Sequence, residues 1–128
     1  FSAPIFQYAN DFAPADDIVI AAPYWDLALP SVLRIYLEYV TVTGVTFRYT
    51  PQGVPEGLCK AERIYYVTTA GGPVGGNNLG YDYVKVLAGT FYGVPKVLCF
   101  KAENLDIKGA DVEGILKNAA DEIDHAVL

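Results

Sequence analysis

Three short apolar runs, Ile18 to Ala22 (IVIAA), Ile64 to Thr68 (IYYVT) and Val97 to Phe100 (VLCF), constrain the fold of this chain more than any other feature. None alternates apolar with polar residues, as a strand with one wet face does. All three are therefore expected as buried strands of a parallel sheet covered on both sides. Segments of helical period separate and follow them. The first is expected from Pro30 to about Val42, with Val32, Leu33, Tyr36, Leu37 and Val40 on or near one face and Pro30 suited to a first turn. The second runs from about Gly80 to Tyr92, where Val84, Leu87, Ala88 and Phe91 recur at spacings of three and four and Gly93 stands ready to end the helix. In the last, Asp111 to about Val127, one side carries Val112, Ile115, Leu116, Ala119, Ile123 and Val127; Asp111 is the expected N-cap and the opposite face is charged. A short aromatic helix or loop, Phe6 to Phe12, precedes the first strand.

Repeated strand, helix, strand units imply an α/β fold with right-handed crossovers. Three parallel strands are a narrow sheet with two open edges, so something is expected to complete it. The length, 128 residues, suits one domain. With 52% apolar, 13% aromatic and only 19% charged residues, some apolar surface is left over for a cofactor or a partner subunit. The net charge of -6, with no cluster of Lys and Arg, argues against nucleic acid and anionic membranes as partners. No apolar run approaches the roughly 20 residues of a membrane helix. Cys59 and Cys99 form neither a C-x-x-C nor a zinc-ligand pattern and read as reduced, partly buried thiols, which makes the cytoplasm the expected compartment. The chain opens on Phe1 without a Met or a signal-peptide pattern, and its natural start is expected to lie upstream.

Ligands of open α/β sheets bind beyond the carboxyl ends of the strands, and that rule selects three loops. In Pro23-Tyr24-Trp25-Asp26-Leu27, two large aromatics follow a buried strand, either to be covered by a flat ligand or to pack under a neighbouring loop. In Thr69-Ala70-Gly71-Gly72-Pro73-Val74-Gly75-Gly76, absent side chains let backbone N–H groups approach a ligand, or simply make a flexible turn. The third loop, Ala102 to Lys108, reads mainly as a connector to the last helix. His125 is the only histidine and has no nucleophile at a suggestive spacing, so no hydrolytic constellation is present. Asp16 and Asp17, and the trio Asp121, Glu122 and Asp124, do not make a metal site. Any redox chemistry would have to come from a cofactor.

The run Ala15 to Leu33 (ADDIVIAAPYWDLALPSVL), with Gly44 to Thr50 (GVTFRYT), Thr68 to Gly72 (TTAGG), Phe91 to Val94 (FYGV) and Ala102 to Leu105 (AENL), resembles the FMN-dependent NADH:azoreductase and NAD(P)H:quinone oxidoreductase family. The resemblance implies a flavodoxin-like, three-layer, doubly wound parallel sheet. It also implies FMN as cofactor, NADH or NADPH as co-substrate, a flat aromatic substrate such as a quinone or azo compound, and a homodimer. In that family the first loop borders the isoalloxazine ring; its residues here are Pro23, Tyr24, Trp25, Asp26 and Leu27, with Asp26 where Asn is usual and Leu27 where Phe is usual. The family's Ser-Arg-Gly-Gly corresponds to Thr69, Ala70, Gly71 and Gly72, whose backbone amides would face the polar edge of the flavin; Ala70 removes one positive charge near the ring. Tyr49 matches an aromatic near the flavin pocket, and Phe91 one that closes the pocket across a dimer, so that Trp25, Tyr49 and a partner's Phe91 would form a stacked site.

In this resemblance, residues 1–128 correspond to the C-terminal portion of a single domain, lacking the first two strands, the first helix and the phosphate-binding turn. The chain as it stands is then expected to bind FMN poorly. A non-catalytic flavodoxin-like electron carrier or interaction module is the alternative reading.

Overall fold

In the computed structural model of the chain, which describes the backbone of residues 1–127 and side chains through residue 126, the three apolar runs are the strands of one parallel sheet. They are β1 (Ile18–Pro23), β4 (Arg63–Thr69) and β5 (Lys96–Ala102), hydrogen-bonded in the order β1-β4-β5 with Ile20 opposite Tyr66 and Tyr66 opposite Cys99. A 3₁₀ turn (Pro4–Phe6) and α1 (Gln7–Phe12) precede β1; α2 (Ser31–Val40) joins it to the hairpin and β4; α3 (Leu79–Leu87) and a π-helical turn (Ala88–Tyr92) join β4 to β5; α4 (Val112–Val127) closes the chain. Val127, expected on the apolar side of that last helix, has a side chain outside the described residues.

One sheet face presents Ile18, Ile20, Ile64, Tyr66, Val97 and Cys99, and Phe12, Leu37, Val40, Val84 and Ala88 from α1, α2, α3 and the π-helical turn seal it into the main core. Burying such aliphatic side chains contributes roughly 1.5–3 kcal/mol each. Tyr66 is fully buried, and its hydroxyl reaches so close to Gly80 that a Cβ there would lie 2.5 Å from it. A glycine in the first turn of α3 is what lets that helix close on the sheet. The other face is covered by α4 alone, which packs on β5.

That asymmetry corrects the expectation of strands covered on both sides. Burial along β1 alternates, and Val19 is 65% exposed. On that face α4 packs on β5, at the other edge of the sheet, and Val19 stays exposed although it is as apolar as its buried neighbours. Within the helices, Val32 projects outward from α2, and Val112 and Leu116 of α4 are exposed where a packed stripe was expected; Leu37 and Val40, and to a lesser degree Ile115, Ala119 and Ile123, make the contacts. The expected caps are in place. Asp111 Oδ1 accepts the Gly114 N–H at 3.1 Å and Gly93 ends the π-helical turn in a left-handed conformation at φ 72°, whereas Pro30, expected within the first turn of α2, stands just before it at the N-cap position.

The sequence reading assigned no strands between Thr41 and Lys60, yet β2 (Phe47–Tyr49) and β3 (Pro55–Gly57) form an antiparallel hairpin there. Its turn places Gly53 at φ 79°, and its second strand lies against the π-helical turn: a Cβ on Gly57 would come within 2.2 Å of the Gly93 nitrogen. Two backbones meet at that point.

Candidate functional site

The parallel ladder carries the first two loops to one place. Pro23 ends β1 opposite Thr69, the last residue of β4, and the Tyr24 N–H donates to the Thr69 carbonyl at 2.8 Å. Beyond it the chain turns sharply: Ala28 N–H donates to the Trp25 carbonyl at 2.8 Å, and Asp26 and Leu27 occupy left-handed backbone at φ 50° and 68°. Two consecutive residues with positive φ make a type I′ turn, a geometry that costs a residue such as Leu27 roughly 1–2 kcal/mol. Strain of this kind persists only where its surroundings enforce it. Here the Leu27 carbonyl accepts the Leu79 N–H at 2.9 Å, and the Tyr24 hydroxyl donates to the Asn77 carbonyl.

The third loop does more than connect. Ala70 N–H donates to Ala102 O at 2.9 Å, while Asn104, Leu105 and Asp106 return N–H bonds to the carbonyls of Gly72, Ala70 and Gly71 at 3.2, 3.1 and 2.9 Å. Glu103, held 3.5 Å from Lys101, accepts the Val74 N–H at 2.7 Å and so pins the far side of the glycine-rich loop. Glu103, Leu105 and Asp106 were missed as site residues. The signal was available, because the strand-end rule selected the loop after β5 together with the other two, although that loop was read mainly as a connector.

The product is an open cleft of about 320 Å³. Pro23, Tyr24 and Trp25 form one wall, Thr69, Ala70 and Gly71 the base, and Leu105 and Asp106 the opposite side. Trp25 is 59% exposed, an apolar ring standing uncovered beside the cleft. The N–H groups of Asp26, Leu27, Gly71 and Gly72 donate to no acceptor among the described residues, and a Cβ placed on Gly72 would meet nothing within 4 Å. Ala70 differs: its N–H is spent on Ala102 and its side chain is buried, so it shapes the base without offering a donor. A second cleft, of about 770 Å³, lies on the other side of Trp25 and Asp26, between α2 and α3. Arg34 and Glu38 line it, and the Arg34 guanidinium sits 4.8 Å over the Tyr83 ring.

Tyr49 and Phe91 line neither cleft. Both pack on Phe47, with ring centroids 5.4 and 4.8 Å away; Tyr49 sits on the hairpin that precedes β4 and Phe91 on the π-helical turn that precedes β5. The expected stack of Trp25 with Tyr49 is therefore not formed within one chain. The thiols are not poised for chemistry either: burial pushes Cys59 up to about 11 and raises Cys99 as well. His125 is exposed at the end of α4, with Nδ1 2.7 Å from the Asp121 carbonyl, and Asp16 pairs with Lys60 at 2.7 Å. Among the described residues no group of three or more His, Cys, Asp or Glu side chains is placed to hold a metal ion.

Comparison with known proteins agrees with this architecture. A protein of Clostridium acetobutylicum named FMN-dependent NADH:quinone oxidoreductase 2 is 39% identical over 123 residues, covering 92% of this chain and 60% of its own length. A protein of Lachnoclostridium phytofermentans named FMN-dependent NADH:quinone oxidoreductase is 42% identical over 118 residues, covering 91% and 59%. The chain thus spans about 60% of the length of these curated relatives. Among solved structures, an azoreductase from Bacillus anthracis superimposes with a TM-score of 0.77 at 30% identity, over 92% of this chain and 58% of that one. The fold is shared also by a Bacillus anthracis FMN-dependent NADH-azoreductase solved in complex with FMN, at a TM-score of 0.80 and 23% identity over 95% and 59%. A family profile described as flavodoxin-like fold matches residues 3–127, so the chain belongs to the flavodoxin-like fold family.

Proposed function

We propose that the protein carrying this chain is an FMN-dependent oxidoreductase that passes reducing equivalents from NADH or NADPH to quinones or azo compounds. The observation that carries this reading is the cleft itself, where an exposed Trp25 ring stands beside a base of small residues, with the unused N–H of Gly71 in its lining and those of Asp26, Leu27 and Gly72 on the adjoining loops. Those features suit a flat heteroaromatic ring with carbonyl groups at its edge. FMN supplies the two-electron chemistry when bound. In this reading Trp25 and Tyr24 orient the ring, the amides of Asp26, Leu27, Gly71 and Gly72 hold its polar edge, and the Trp25 side leaves room for a flat acceptor. The names borne by the relatives support the same assignment.

The second half of the proposal concerns what this chain does by itself. The outer edge of β1 is unpaired in the sheet, and we assign the phosphate-binding turn and the strand that would cover that edge to the longer protein. Residues 1–128 form the C-terminal portion of the domain and carry the ring half of the site. We also infer a cytoplasmic homodimer, with Tyr49 and Phe91 of a second copy closing the Trp25 cleft that they do not reach in their own chain. Both cysteines are free, and among the described residues no helix is long and apolar enough to cross a membrane.

The full-length protein, purified and desalted, is expected to retain FMN and to oxidise NADH or NADPH steadily when a quinone is supplied. Flavin retention without nicotinamide turnover would make it an electron carrier. Absence of flavin would sink the assignment and leave an interaction module. Stoichiometric FMN on the 128-residue chain alone would overturn the division of the site.

A further inference from the structure

The charge distribution around the Trp25 cleft is one-sided. Among the described residues Asp106 is the only carboxylate lining it and no Lys or Arg lines it, and position 70, at its base, is alanine. The side chain is exposed, but the backbone that carries it is fixed. The Asp106 N–H is tied to the Gly71 carbonyl at 2.9 Å, the preceding Leu105 is tied to Ala70, and Asn104 fixes the turn in left-handed backbone at φ 65°. The side chain lies directly against the base of the cleft, since a Cβ placed on Gly71 would stand 2.6 Å from Asp106 Oδ2. Nearby charges do not compensate. Lys101 is held by Glu103 at 3.5 Å, Lys108 lines neither cleft, and the neighbouring cleft holds Arg34 against two carboxylates, Asp26 and Glu38.

We propose that Asp106 sets the electron affinity of the ring held in this cleft, by opposing negative charge on it. This rests on the flavin reading above and adds a residue role to it. A hydride brings two electrons and one proton, which leaves a neutral ring system negatively charged until a second proton arrives from solvent. A carboxylate against the base of the cleft disfavours the charged form and favours uptake of that second proton. The site is thereby biased toward a stronger reductant whose reduced form is neutral. A ring covering the cleft would also exclude water from Asp106 and weaken the screening an exposed carboxylate otherwise enjoys.

The test is a spectroelectrochemical titration of the FMN-loaded full-length protein and of its Asp106→Asn and Asp106→Lys variants between pH 6 and 9, with Glu122→Gln on the exposed face of α4 as a remote control. Asp106→Asn is expected to favour the reduced over the oxidised ring by about tenfold, a rise of about 30 mV for a two-electron couple. It should also lower the pH at which the reduced ring takes its second proton. Asp106→Lys should move both further in the same direction, and Glu122→Gln should move neither. Bound FMN whose potential and pH dependence are the same in all four proteins would overturn the role of Asp106 alone. A wild-type protein that binds no FMN would overturn the flavin reading and this proposal with it.

Discussion

At the scale of single residues the cleft and the core make opposite demands. Trp25 is mostly exposed, so Trp25→Ala should leave the unfolding free energy within about 0.5 kcal/mol of wild type. The same change should weaken flavin binding about tenfold, the order expected when an aromatic wall is removed. Fluorescence titration beside urea denaturation separates the two effects, and a Trp25→Ala protein that binds flavin normally would remove Trp25 from the site. Tyr66 is the counterpart in the core. Its hydroxyl is buried without a hydrogen-bond partner among the described residues, and burial pushes its ionisation from 10.0 up to about 12. The folded chain therefore holds a proton that the unfolded chain loses near pH 10. The associated stability is complete below pH 10 and falls as pH rises toward 12. Cys59 behaves alike between 9.0 and about 11. Tyr66→Phe should raise stability at pH 7 by about 1 kcal/mol, because an unsatisfied polar group is removed, and should flatten the alkaline decline. Lower stability of the phenylalanine variant at pH 7 would mean that the hydroxyl has a partner after all.

Among the elements, the helices and the parallel strands were legible because period and length suffice to recognise them. Val84 and Ala88, four residues apart, both reach the core, and Ile64 to Thr68 is too short and too apolar for anything but an interior strand. The hairpin was not legible, since strands of three residues leave no period to read and Phe47 alone of the first strand is buried. Its placement depends instead on a contact between two glycines distant in sequence, and a pattern search along the chain cannot see that. Gly57→Ala tests the contact: the added Cβ would collide with the backbone of Tyr92 and Gly93, atoms that cannot swing aside as a side chain does. A loss of about 1–3 kcal/mol is expected in denaturation. Amide exchange should quicken across Phe47–Tyr49 and Pro55–Gly57 while β4 stays protected. Unchanged exchange in the hairpin would show that the close approach does not hold it. The candidate site was half legible for a similar reason. The rule of strand-end loops selected all three loops, but the third read as a connector, and the place of Asp106 against the cleft shows only once loop pairs with loop through Gly71 and Gly72.

Over the whole molecule, the layering followed from the order of periods, but which outer faces stay bare did not, because Val19 and Val32 read in sequence like buried residues. The bare surface on α2 and α3 has a pattern of its own. Val32, Ile35 and Tyr39 recur at helical spacing along the outside of α2, and Leu79 and Val86 do so along α3; all are exposed, Val32 at 71% and Val86 at 64%. Arg34 over Tyr83 links the two helices, and the cleft between them opens beside Trp25. A second copy seated here would bury apolar area next to the candidate site, where a stable interface needs about 800 Å² per partner, roughly a tenth of the chain's 7838 Å² surface. Ile35→Glu combined with Val86→Glu puts like charges at the centre of that face without touching the core. Sedimentation velocity of the full-length protein should then change from dimer to monomer, while the thermal midpoint of the 128-residue chain stays within a few degrees of wild type. A dimer that survives both substitutions would place the interface elsewhere, and a wild-type monomer would remove the partner's Tyr49 and Phe91 from the site.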